Sequence, residues 1–288
     1  MKLKTMLSYL WKIPLCALAF YGGTMLGGMV ATLTGLPAPA MPAGADQMVL
    51  GQYLLLVSLI LAIALAFLAR KLAGGFLARW LVLSFLVWIA HAVNNVIEGA
   101  IFTSLAAASL FTVVLYGFAS LLCGAAMAWL LPPPSRGDGF IVRAKAFFAR
   151  YHAADWAWRA LAALLAFPLI YLSFGRLIAP LVTDYYAEGL FGLELPSWNQ
   201  ILPILLLRSL LFLLACLPVL ILWQDSQRGL FLTLGLILFL LVGGLSMLQA
   251  YWLPASLRLI HSLEILADEL VYMAVLLVLF RAPKAAKQ

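Results

Sequence analysis

Charge is what this sequence has least of. Only 10% of its 288 residues are Asp, Glu, Lys or Arg, and 66% are hydrophobic, where a soluble domain carries about a quarter charged residues. No water-soluble fold can hide that much apolar surface, so a bilayer is the solvent. The chain also lacks the period-2 alternation of a membrane β-barrel, which leaves helices as the only spans that satisfy their own backbone. Cysteine is sparse: Cys16, Cys123 and Cys216 each lie inside an apolar run, without CxxC or Cys/His spacing, and read as small core residues. Walker, GxGxxG, GxSxG and HExxH patterns are all missing, so none of the soluble catalytic signatures applies.

What is present is a series of span-length apolar runs. A helix needs about 20 such residues to cross the hydrocarbon core. The runs fall near 13–35, 48–69, 80–104, 108–131, 157–183, 199–223, 229–253 and 256–280, which predicts an all-α polytopic bundle of about eight spans. A cleaved signal peptide competes for the first run, since Lys2 and Lys4 precede it and Ala38-Pro39-Ala40 comes after it. The run is span-length, which favours a retained helix.

Basic residues then orient the bundle. Lys2, Lys4 and Lys12 precede the first run; Arg70, Lys71 and Arg79 follow the second; Arg136, Arg143, Lys145, Arg150 and Arg159 follow the fourth. Arg228 follows the sixth run, and Arg281, Lys284 and Lys287 follow the last. Those fifteen of the 18 Lys and Arg share one side, and the alternate loops hold none, only Asp46, Asp184, Glu188 and Glu194. Cationic loops resist translocation, so both termini are expected in the cytoplasm, in a cytoplasmic (inner) membrane. The same placement accounts for the net charge of +7 without a nucleic-acid partner. Membrane lipids are the expected surroundings.

The halves read as a 4+4 parallel repeat, with residues 1–135 and 157–288 joined by 136–156. Trp11-Lys12, Phe20 and Gly28 match Trp158-Arg159, Phe167 and Gly175 at a constant offset of 147, and Arg79 to Pro134 spans 55 positions, as does Arg228 to Pro283. Four-span units insert in the same direction, giving an axis along the membrane normal. Chance matches in Leu- and Ala-rich helices stand against this. The joining segment interleaves Phe140, Ile141, Phe147, Phe148 and Tyr151 with Arg143, Lys145 and Arg150, which suits either an interfacial helix or a basic linker. Glycines 22, 23, 27 and 28 provide small-xxx-small spacing for close helix contact.

Ionisable residues inside spans are costly and usually face a partner or a cavity. His91, Asn94, Asn95 and Glu98 share one helix face; Arg258, His261, Glu264, Asp268 and Glu269 lie on the last span with Tyr272; Arg176 and Arg208 lie on the fifth and sixth. We expect one polar cavity in the outer half, in which the three guanidinium groups meet the acids. Arg presents a fixed fork of donors to carboxylate or phosphate. Substrate binding is accordingly assigned to Arg176, Arg208, Arg258, Glu98, Asn95, His91 and Asp268, and acid/base chemistry to His261 and Glu264. The His/carboxylate spacings could also hold a metal or haem, but buried His more often serve as hydrogen-bonded core or proton-relay groups. No metal and no cofactor is assigned.

Three functions fit these residues. One is a transporter or permease-like protein for a small anionic solute or an anionic lipid head group, proton-coupled through Glu98, His261 or Glu264. Another is an intramembrane enzyme acting on a lipid or lipid-linked substrate from the outer leaflet, with His261 and Glu264 as acid/base. The third is a structural subunit with a membrane-protein partner, the arginines neutralising the acids and fixing helix register. A wet, elongated cavity favours transport, a single-mouthed pocket an enzyme, and a fully paired network the subunit.

Overall fold

The computed structural model describes residues 3–41, 44–103 and 109–280. Their secondary structure is helical: α1 Leu3–Leu33, α2 Gln47–Ala69, α3 Phe76–Val87, α4 Asn94–Phe102, α5 Ser109–Leu130, α6 Phe140–Phe148, α7 Ala153–Ala187, α8 Trp198–Leu222, α9 Gln227–Phe239, α10 Leu245–Gln249 and α11 Ala255–Phe280. A π-helical turn, Trp88–Val93, joins α3 to α4, and a second, Leu240–Gly244, joins α9 to α10. Each pair therefore forms one continuous rod, and among the described residues seven rods are long and apolar enough to cross a membrane. The eighth rod, α11, is 26 residues long but carries Arg258, Glu264, Asp268 and Glu269. It packs along α7 and α9, and its last residue, Phe280, stacks on Trp156 in the first turn of α7.

The ends of the rods sort into two sides. On one side Ala73 N–H donates to Leu222 O (2.7 Å) and Gln224 N–H to Lys71 O (2.9 Å). The α5–α6 connection joins them there, with Gly74 N–H donating to Arg136 O (2.7 Å) and Lys71 pairing with Asp225. That ion pair and the Ser226 N–H hold the Asp225 carboxyl below its ordinary range. The depressed value means the clasp is present at neutral pH and is lost as pH falls through the folded-state value. On the other side Glu194 N–H donates to Phe102 O (2.8 Å), and Tyr53 stacks on Tyr251. Among the described residues, these contacts join connections an even number of crossings apart. Expected loop 105–107 and the basic residues Arg281, Lys284 and Lys287 lie outside the described residues, as does Pro283. For the loop beyond α7, a single cysteine at position 190 is expected to react with an impermeant thiol reagent added from outside; reaction only from the cytoplasmic side would reverse the assignment.

α1 packs on α2 and α5, and α5 on α3; in the same chain order α7 packs on α8 and α11, and α11 on α9. Between halves α2 meets α9 while α3 meets α8, and the two π turns meet each other. An isolated antiparallel bridge, Leu72–Trp223, also joins residues 1–135 to 157–288. The expected small-residue seam lies between α1 and α5. A Cβ at Gly27 would sit 2.7 Å from Leu115 Cα, and one at Gly23 2.6 Å from Ala119 Cα, so α1 and α5 touch backbone to backbone. Gly27→Ala must push these helices apart and is expected to destabilise by about 1–3 kcal/mol, read as a lower melting temperature of the purified protein. Gly22, open on its outer side, is the control.

Of the two forms offered for the connecting segment the helical one is present, and one basic residue is placed differently from the sequence reading. The connecting segment holds a helix, α6, with Phe147 buried against the bundle while Ile141, Val142 and Phe148 stay exposed, the one-sided anchoring suited to an interface. Arg79, assigned to a cytoplasmic loop, is instead 2% exposed in the first turn of α3. Its guanidinium donates to Ala69 O (2.8 Å), Ala128 O (2.7 Å) and Leu131 O (2.5 Å), the carbonyl ends of α2 and α5. A cation is favoured there because helix C-termini carry partial negative charge and unpaired carbonyls.

Candidate functional site

The polar faces of the third and eighth rods converge on one cavity. Its volume is about 250 Å³, and Asn95, Glu98, Tyr171, Tyr186, Ser246, His261 and Glu264 supply its polar wall. Glu98 comes from α4, below the π turn that resets the helix phase, and Glu264 from α11. Gly175 on α7 makes room for the latter: a Cβ there would stand 3.4 Å from Glu264 Oε1. Space, rather than backbone conformation, explains the glycine.

Behind Glu98 stands Arg208 of α8. Arg208 Nη2 lies 2.6 Å from Glu98 Oε1, with the Arg side chain 2% exposed and the Glu 25%. Arg208 Nε donates to Asn94 Oδ1 at 2.8 Å. The guanidinium carbon is 5.2 Å from the Phe167 ring centroid and 5.1 Å from that of Tyr171, within cation–π range. Two aromatic walls, an amide and a carboxylate therefore fix the fork. Its Nη1 remains buried without a hydrogen-bond partner among the described residues.

A second polar chain crosses the cavity. His261 Nδ1 is 2.8 Å from Glu264 Oε2, and His261 Nε2 is 3.2 Å from the Tyr186 hydroxyl. When the ring is neutral, Nδ1–H donates to the carboxylate and Nε2 accepts from the phenol. The i, i+3 spacing on one helix face makes the first contact; α7, running past the expected end of its span to Ala187, supplies the second. The sequence reading missed both because Tyr186, near a span end, reads as a membrane anchor and Tyr171, in mid-span, reads as an apolar core residue. Nothing in their spacing singles them out.

The other candidates are distributed differently from the single shared cavity expected. His91 is 2% exposed and turned from the cavity toward the second π turn, where its Nδ1 is 3.0 Å from Leu241 O. A carbonyl only accepts, so Nδ1 carries the proton. Asn95, whose amide nitrogen lies 3.2 Å from that Nδ1, donates to Ser246 Oγ (3.0 Å). Asp268 is buried at 3% exposure one turn beyond Glu264. Arg176 lines an adjoining apolar groove of about 450 Å³ between α7 and α8, which shares Tyr171, Tyr186, His261 and Glu264 with the polar cavity. Arg258 lines neither space. Of three guanidinium groups only Arg208 pairs with an acid among the described residues; the helical phase of α7 directs Arg176 outward, and Arg258 lies six residues before Glu264, more than one turn farther out.

These features define a polytopic α-helical membrane protein with a titratable cavity between its halves. No family model matches the chain, and no curated protein or solved structure matches it either. No group of three or more His, Cys, Asp or Glu among the described residues is arranged to hold a metal ion.

Proposed function

We propose that the chain is a proton-coupled carrier of the cytoplasmic membrane, with both termini in the cytoplasm, for a small organic anion or the anionic head group of a lipid. The observation that carries this reading is the Arg208–Glu98 pair at the cavity wall. While Glu98 is ionised it occupies the guanidinium, and an entering anion would meet two carboxylates. Protonating Glu98 removes its hold on Arg208 and exposes a fork suited to carboxylate or phosphate. Anion and proton then bind together, because each removes the obstacle to the other. His261 and Glu264 supply and accept that proton at the opposite wall. The shared wall between cavity and groove gives an amphiphile room for its chain in the groove and its head group in the cavity.

Unpartnered buried polar atoms at Arg208, Asn94, Asp268 and Glu269 weigh against a purely structural subunit, which would gain from pairing them. The Tyr186–His261–Glu264 chain favours the second reading, an intramembrane acid/base enzyme, because a hydroxyl, imidazole and carboxylate in series is an arrangement that activates a nucleophile. Glu264→Gln separates the two. In proteoliposomes a carrier is expected to lose the pH dependence of net uptake yet retain exchange; an enzyme would lose turnover while still binding substrate. Uptake of labelled mono- and dicarboxylates and organic phosphates, run beside transbilayer movement of labelled anionic phospholipid, distinguishes a free anion from a head group. Neither activity in the parent protein, at any pH gradient imposed, would overturn the carrier reading.

A further inference from the structure

α11 carries two more acids, beyond the cavity wall. Glu269 is 0% exposed and Asp268 3%, and both Glu269 oxygens and Asp268 Oδ1 lack hydrogen-bond partners among the described residues. Neither side chain lines the cavity or the groove. The titratable groups within electrostatic range of one or both are Arg208 and Cys216 from α8, Glu98 from α4, and Glu264 and Tyr272 from α11 itself. α9, packed on the same helix, contributes no titratable side chain at this depth, its Arg228 being exposed in the first turn.

Charge counting makes the arrangement informative. Glu98, Glu264, Asp268 and Glu269 surround a single permanent cation, Arg208, which Glu98 already engages, while His261 serves Glu264. Arg208 Nη1 and Asn94 Nδ2, both buried donors, are also without partners among the described residues. Donors and acceptors in the same interior are left over together, which a network built only to hold helices would have paired. Buried carboxyl oxygens without donors, whose one cation is shared among four acids, favour the neutral form.

We infer that Asp268 and Glu269 form a proton-holding site behind the cavity, occupied at neutral pH and exchanging protons with Glu264. Transfer is between like groups: the O–H bond of an Asp268 carboxyl breaks as one forms on the Glu264 carboxylate, with no other reactant. Glu264 and Asp268 are one helical turn apart, about 6 Å along the axis. The site thus extends the proton path from the cavity toward the cytoplasmic half of α11. Its role in coupling rests on the carrier reading; its protonation does not.

Infrared spectra of the purified protein at pH 7, in H2O and D2O, test it without any substrate. The parent is expected to show a carboxylic acid C=O band that shifts on deuteration, and Glu269→Gln and Asp268→Asn are each expected to remove the intensity of one carboxyl. The double variant should remove two. These isosteric changes also alter stability in a signed way. A group protonated in the folded protein but ionised in the unfolded chain loses stability as pH rises, so parent melting temperatures should fall between pH 5 and 7 by more than those of the double variant. Identical carboxylic acid bands in parent and double variant would overturn the inference, whatever the transport assays give. Band loss with no measurable transport would retain the proton site and remove the carrier reading.

Discussion

Arg208→Gln is expected to lower stability by about 3–5 kcal/mol, the range for breaking one member of a buried ion pair, and to abolish anion uptake. The side chain is 2% exposed and engages Glu98 at 2.6 Å and Asn94 at 2.8 Å. Its removal strands a carboxylate and an amide oxygen and leaves Phe167, Tyr171 and Phe212 facing a smaller group. A stability loss alone would not reveal function, so the informative variant is the double one, Arg208→Gln with Glu98→Gln. Two amides can hydrogen-bond to each other, and stability should recover by most of the loss because neither charge is left uncompensated. Uptake should not recover, since an amide provides neither the charge nor the fork. A stable double variant that still accumulates anion under a proton gradient would refute Arg208 as the anion site. Thermal melts read the first quantity and proteoliposome uptake the second.

The architecture was legible because bilayer thickness and helix rise leave little freedom: an apolar run of span length has one low-energy conformation in lipid, and the expected runs match the observed rods within about four residues at most ends. The first rod is an exception, extending back to Leu3 through residues whose polarity disguised a helix continuing past the hydrocarbon core. The π turns were invisible. A π turn inserts one residue and rotates the helix beyond it, and neither Trp88–Val93 nor Leu240–Gly244 carries a distinctive residue type except the paired glycines 243 and 244. Candidate residues were found because a charge in a span stands out. Which of them meet was not, since that depends on helix rotation. Arg208 and Arg176 are equally conspicuous in sequence, yet one is clasped between helices and the other lines an apolar groove.

Arg79 illustrates the same ambiguity, and its replacement has the second large expected effect. Arg79→Met retains much of the apolar stem but removes three hydrogen bonds to Ala69, Ala128 and Leu131 together with the charge at two helix C-termini. Hydrogen bonds involving a charged group contribute about 1.5–3 kcal/mol each, and they are not additive, so a loss of about 3–5 kcal/mol is the expected total. Arg79→Lys should recover only part, because an ammonium cannot present a planar fork to carbonyls on two different helices. The effect should be confined to stability. Arg79 lies at the end of the bundle opposite the cavity, so at temperatures where the variants remain folded, uptake per folded molecule and its pH dependence should match the parent. A loss of uptake with unchanged melting temperature would instead place this guanidinium in the transport path, where the helix ends would act as a gate rather than a fixed joint. Melting curves and uptake normalised to folded protein, measured on Met and Lys variants side by side, decide between a clasp and a gate.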